Sequence, residues 1–274
     1  MSQSRVYLTI DDSPSDSTYE LVDFMVERDI PALLFCRGDL MEDDMEAVIY
    51  AIENGMTIGN HLYSHTRSSQ LGGIQNVKSE ILKTESLIDL AYERAGRQRP
   101  GKYIRFPYID RGDGDDVERK FPKLIDDMSA GKPVALGQSN LVQNIQAFLA
   151  AEGFVQPFAD INHPLYHIDD IAEARDCLFT YSTCDWMLTT RHCVDKCEGD
   201  FPHKTIGDLT QAIDDDCFLQ DPNLSHVVLI HDQPELLPVT QQLISHFKER
   251  GFIFEDVACS LDSPKPLLDS EPQP

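Results

Sequence analysis

The run Val6-Tyr7-Leu8-Thr9-Ile10 ends in two adjacent carboxylates, Asp11 and Asp12, and then Ser13. Further on, His61-Leu62-Tyr63-Ser64-His65 sets two imidazoles four residues apart. The short apolar run reads as a strand, which places the carboxylate pair at a strand end. One carboxylate with two imidazoles makes a three-ligand set that suits a divalent metal with open positions for water and substrate. The remaining carboxylate is placed to take a proton from that water. The two stretches together point to metal-assisted hydrolysis.

Outward from this pair, apolar runs alternate with helical patterns. Strands are expected at Ala32–Cys36, Thr57–Asn60, Ile104–Phe106, Phe154–Ile161, Leu178–Tyr181, Val227–Ile230 and Phe252–Phe254. Helices are expected from a Ser17–Glu20 capping box to about Arg28, and over Glu42–Asn54, Val77–Arg94, Asn140–Ala151, Ile206–Cys217 and Pro238–Glu249. Such alternation predicts an α/β fold with a parallel sheet and helices outside. A chain of 274 residues suits a distorted (β/α) barrel of about seven parallel strands. Each polar cluster follows a strand: Asp11-Asp12, His61, Arg105 to Tyr108, Asp185-Trp186 and His231-Asp232. In such a barrel that end of the strands is where sites are built. Residues 1–262 are read as one domain, and the Pro-rich tail 263–274 as disordered.

Composition narrows the partners. A formal net charge of −24 opposes binding to nucleic acid or anionic membranes and favours a neutral or cationic substrate. No stretch of about 18 apolar residues suggests a membrane span. The N-terminus carries no signal-peptide pattern, so a cytoplasmic location is expected. The seven cysteines have no regular spacing and are read as reduced thiols. Cys193 and Cys197 lack the second ligand pair that a structural zinc needs.

The ordered clusters resemble the five motifs of the polysaccharide deacetylase family, the NodB-homology group of carbohydrate esterase family 4. They are Thr9-Ile10-Asp11-Asp12-Ser13, His61 with His65, Arg105-Phe106-Pro107-Tyr108, Asp185-Trp186 and Leu229-Ile230-His231. The resemblance runs from residue 5 to about 254. It implies removal of N-acetyl groups from an amino sugar or short N-acetylglucosamine oligosaccharide. It makes Asp11 the general base, His231 the general acid, and Asp12, His61 and His65 the metal ligands. Zinc is the implied ion, and a His₂Asp set also accepts cobalt, nickel or iron. It further implies that Arg105 orients Asp11, that Asp185 tethers Arg105, that the Tyr108 amide holds the oxyanion, and that Trp186 and Leu229 line the acetyl pocket.

Two departures from the motifs bear on this reading. Ser13 replaces a glycine, so a turn needing positive φ there would be strained. The stretches Ile109–Asp116 and Asn162–Asp176 are long insertions, expected on the site face, where they would narrow the groove for a short glycan or a small N-acyl compound. His163, His167, His192, His203, His226 and His246 match no motif and are read as structural or surface residues. The alternatives are an amidohydrolase or deformylase on another N-acyl molecule, and a catalytically inactive glycan-binding homologue.

Overall fold

Strand β1, Arg5–Ser13, is buried at every position after Arg5, as the central strand of a parallel sheet must be. In this computed structural model, residues 4–114, 123–128, 130–132, 139–190 and 202–257 are described. Cys193, Cys197 and the tail 263–274 lie outside them. Five further strands join β1: β2 (Ala32–Cys36), β3 (Thr57–Asn60), β4 (Tyr181–Ser182), β5 (Ser225–His231) and β6 (Ile253–Phe254). The order is β3-β2-β1-β5-β4, all pairings are parallel, and β6 pairs with β1. β5 occupies one edge of β1 from Arg5 to Asp11, so β6 and β2 share the other edge.

Alternation along the strands divides the core in two. Tyr7, Leu33, Phe35, Val227 and Leu229 point inward to one buried cluster, with Tyr103, Phe158, Tyr166 and Phe179. Their neighbours Leu8, Ile10, Leu34, Val228 and Ile230 face the opposite way, onto the surrounding helices. Register stacks the inner residues in layers: Tyr7 opposite Val227, Thr9 opposite Leu229, Asp11 opposite His231. The inner face therefore passes from apolar to ionisable towards the C-terminal ends of the strands.

Among the described residues the ladder has six strands and does not close into a barrel. The expected strand at Ile104–Phe106 is reduced to single bridges, Asn60 with Ile104 and Lys102 with Phe154. One backbone bond, from Cys177 N to Ile104 O, crosses the remaining gap. The reason lies in the next two carbonyls. Cys177 O accepts from Arg105 Nε and Arg105 O from His61 Nδ1, so site side chains take acceptors that a strand would use. The expected strand Phe154–Ile161 ends after its bridge, where Pro157 removes a donor.

The helices follow the sequence more closely. Asn140–Ala151 is helical as expected, capped by the Ser139 hydroxyl. The expected Glu42–Asn54 helix is two helices, α2 (Gly38–Asp43) and α3 (Met45–Glu53), broken where Asp44 turns out of helical geometry to cap α3. Helix α1 (Thr18–Val26) starts after Ser17, whose side chain makes no cap bond, while the flanking Ser15 and Thr18 hydroxyls donate to buried Asp232. Helix α4 (Ile74–Ala95) ends at Gly96 in the left-handed region. No helix among the described residues is long and apolar enough to cross a membrane.

Candidate active site

Adjacent strand residues point to opposite faces, so Asp11 and Asp12 would ordinarily be separated. A β-bulge prevents this. Asp11 pairs with Phe35 and Ser13 with Cys36, leaving Asp12 as the extra residue at φ 68°. The left-handed residue is thus Asp12, a type that tolerates the region, and not Ser13. Ser13 stays in the strand and donates to Asp232 Oδ2 at 3.0 Å. Ser13 is therefore not called on to take positive φ.

His61 follows β3 directly, and the histidine pair lies on a loop. The His61 ring is 2% exposed, and its Nδ1 donates to Arg105 O at 2.8 Å. That bond fixes the tautomer and leaves the Nε2 lone pair free. Burial pushes His61 down to about 4, so the ring is neutral at ordinary pH. Its Nε2 lies 3.8 Å from Asp12 Oδ1, and His65 Nε2 lies 3.1 Å from the same oxygen. The ligand atoms of Asp12, His61 and His65 all fall within 4.8 Å of one another. Asp12 Oδ1 is buried without a well-aligned hydrogen bond, while Oδ2 accepts from Gln233 Nε2 at 2.9 Å. Burial alone would raise the Asp12 carboxyl, but the neighbouring His65, His231 and His61 hold it well below the usual carboxylate range. A buried, ionised oxygen facing two imidazole nitrogens fits a divalent cation.

Arg105 is 3% exposed and reaches Asp11 Oδ1 at 2.9 Å, with further bonds to Thr9 Oγ1 and Cys177 O. The expected contact with Asp11 is present. The expected tether from Asp185 to Arg105 is replaced: Asp185 accepts from His231 Nδ1 and from the His231 amide, both at 2.8 Å. The cause is the register, since β5 carries His231 beside the turn Asp185–Leu188, while Arg105 faces Cys177. Burial alone would lower His231, but Asp185, then Asp12 and Asp11, outweigh it and raise the imidazole to about 9. His231 is therefore protonated at neutral pH.

The remaining residues lie around this centre. Tyr108 sits in a 3₁₀ turn at φ 57°, its half-exposed ring 4.7 Å from that of His65 and under the Arg67 guanidinium. Leu229 is buried in the inner cluster, and Trp186 is half-buried next to Asp185. Residues 109–114 are on the site side, held as Asp110 accepts from Ser69, Gly112 and Gly114. The second insertion ends beside it, with Asp176 paired to Arg111 at 2.8 Å, but begins elsewhere. Asn162 O accepts from Ser225 N at the start of β5, and His163 packs on His226 and Phe218, at the opposite end of the strands. His163 is fully buried and lies away from the groove. The sequence reading missed Gln233, two residues after His231, and Glu80 of α4, whose Oε2 accepts from the loop between the histidines. Nothing in local pattern marks either.

Comparison with known proteins follows this geometry. The polysaccharide deacetylase family model matches residues 1–116. A chitooligosaccharide deacetylase of Sinorhizobium fredii is 30% identical over 38% of this chain and 46% of its own length. A peptidoglycan-N-acetylglucosamine deacetylase of Bacillus cereus is 30% identical over 39% of this chain and 37% of its own. The matches thus span less than half the length of these relatives. Among solved structures, a polysaccharide deacetylase from Bacillus cereus aligns with a TM-score of 0.57 and 18% identity, covering 93% of this chain and 92% of that one. A family 4 pseudoenzyme from Bacillus anthracis aligns at 0.54 and 15%, covering 95% and 66%. At these identities the structures show the fold, a parallel α/β architecture of the NodB kind.

Proposed function

We propose that this chain, whose residues 1–116 match the polysaccharide deacetylase family model, hydrolyses N-acetyl groups on short, neutral N-acetylglucosamine oligosaccharides. The observation that carries this is the cross-strand pair Asp11 and His231, facing inward in register beside the Asp12, His61 and His65 donor set. Asp12, His61 and His65 would hold zinc, and their donors also suit cobalt, nickel or iron. When bound, the ion supplies Lewis-acid polarisation of the amide carbonyl and a more acidic water. Residues 1–262 form the deacetylase unit in this reading.

The protein groups divide the rest of the work. Asp11 Oδ1 is occupied by Arg105, which orients the carboxylate and leaves Oδ2 to accept a proton from the attacking water. Protonated His231, held through Nδ1 by Asp185, carries the Nε2 proton for the leaving amine. The Tyr108 amide is a donor for the developing oxyanion, an effect worth about 3–4 kcal/mol where such a donor is removed. Trp186 and Leu229 would shape the pocket for the acetyl methyl.

The test is acetate release from N-acetylglucosamine oligomers of graded length, with and without chelator. Release that stops with chelator and returns with zinc supports the reading. No release from any oligomer, with turnover of another N-acyl compound, would replace it by the amidohydrolase alternative. Binding of oligomers without release would leave an inactive homologue.

A further inference from the structure

The two imidazoles of the His61–His65 pair are secured in different ways. His61 is fixed by its own ring, through Nδ1 and complete burial. His65 is partly exposed, and its ring meets Asp12, His61 and Tyr108. Its position therefore depends on the loop that carries it. That loop contains two non-glycine residues in the left-handed region, Leu62 at φ 58° and His65 at φ 55°. Such residues cost about 1–3 kcal/mol each and persist only where surrounding contacts fix them.

The two residues between them, Tyr63 and Ser64, are where the contacts converge. A single oxygen, Glu80 Oε2, accepts from Tyr63 N at 3.2 Å, Ser64 N at 2.7 Å and Ser64 Oγ at 2.8 Å. Bonds from donors to a charged acceptor are the stronger kind. From the other side, Gly38 N donates to Leu62 O and Asp39 N to Tyr63 O. A Cβ on Gly38 would lie 2.5 Å from the Tyr63 ring, so the loop approaches α2 as closely as a glycine allows. The Tyr63 hydroxyl donates to Glu42, and Lys83 lies over the Tyr63 ring. The loop is thus held between α2 and α4, with Glu80 the one side chain bonded to both of its central amides.

We propose that Glu80 is a positioning residue for the metal centre, holding the Tyr63–Ser64 loop so that His65 Nε2 faces Asp12. The inference rests on the metal-site reading above. Removing an outer partner of this kind weakens metal binding by about tenfold to a hundredfold.

The experiment measures zinc affinity by chelator competition on wild type, Glu80→Ala, Glu80→Gln and Ser64→Ala, together with the NMR signals of the His65 ring in metal-free protein. Glu80→Ala is expected to bind zinc about tenfold to a hundredfold more weakly. Its His65 ring signals should shift and broaden, while those of His61 stay in place. Glu80→Gln keeps an acceptor oxygen and should recover part of the affinity. Ser64→Ala removes one of the three donors and should show the smallest loss. Should Glu80→Ala fail to fold, the Gln and Ser64 variants decide the matter by the same two measurements. A purely structural Glu80 would lower the melting temperature but leave zinc affinity within twofold of wild type and the His65 signals unmoved, which overturns the proposal. If wild type binds no zinc at all, the metal-site reading fails, and the His65 signals in metal-free protein still decide whether Glu80 sets that ring.

Discussion

His226 and His231 lie on the same strand, five residues apart, and are driven in opposite directions. Burial pushes His226 down to about 4, with only a weak opposing influence from Asp221. Its neighbours are rings: His163 edge-on at 5.4 Å and Phe252 at 6.3 Å. Burial pushes His231 the same way, yet Asp185, Asp12 and Asp11 lift it to about 9. The difference is therefore made by carboxylates at the C-terminal end of the sheet and not by depth. One end of the strand holds a neutral histidine as packing, and the other holds a protonated one among carboxylates.

The charged end can be broken most severely at Asp11. Asp11→Asn removes the proposed proton acceptor opposite His231 but none of the proposed metal ligands. Turnover should fall by about 10²–10⁴-fold, the range of a general base, while zinc stays bound. Acetate release against metal content checks both. Loss of the zinc along with the activity would move Asp11 into the ligand set.

Asp185→Asn tests the partner that separates His231 from His226. The folded-state value of His231 is raised, so its acid form is present below about 9 and is lost as pH rises through that value. Without Asp185, burial pulls the ring down towards the condition of His226. The basic limb of the pH–rate profile should then fall by more than one pH unit, with about a 10²-fold loss of turnover at pH 8. An unchanged basic limb would show that His231 is not the titrating acid.

The charged end was legible in the sequence because its chemistry sits at strand ends, where an apolar run stops at Asp11 or His231. Parallel α/β architecture followed from the same alternation. Three features were hidden, each for a physical reason. The bulge at Asp12 depends on pairing with β2, which no local pattern records. The Asp185 contact with His231 depends on the register of β4 and β5. The strand lost at Ile104–Phe106 was given up to Arg105 and His61, whose hydrogen bonds draw on backbone acceptors. The insertion at Asn162 read as part of the groove because it lies between two expected strands, whereas the fold places His163 at the far end, against His226. Histidine count alone does not distinguish an acid from a packed ring.

A smaller effect is expected at Gln233, which occupies Asp12 Oδ2 and so leaves Oδ1 facing the imidazoles. Gln233→Leu frees the carboxylate to rotate. Zinc affinity should drop about tenfold, with turnover at saturating zinc nearly unchanged. Chelator competition measures the first and acetate release the second.

The least effect at neutral pH belongs to His226→Phe, which alters only the uncharged end of the strand. Phenylalanine keeps an aromatic ring against His163 and Phe252, and turnover at pH 7 should match wild type. The difference emerges in acid. His226 has a folded value of about 4, below its ordinary 6.5, so the unfolded chain binds the proton first. Its stabilising contribution is complete above pH 6.5 and is lost as pH falls towards about 4. By pH 4.5 that loss is on the order of 2–3 kcal/mol. The variant has no such proton to take up, although His163, pushed down to about 3 by burial, still titrates in the same direction. Urea unfolding at pH 7 and pH 4.5 therefore compares slopes, in which any pH-independent packing cost of the larger ring cancels. Stability should fall less steeply for His226→Phe than for wild type. Equal slopes would mean that His226 takes up its proton in the folded protein as readily as in the unfolded chain, and the contrast with His231 would then rest on His231 alone.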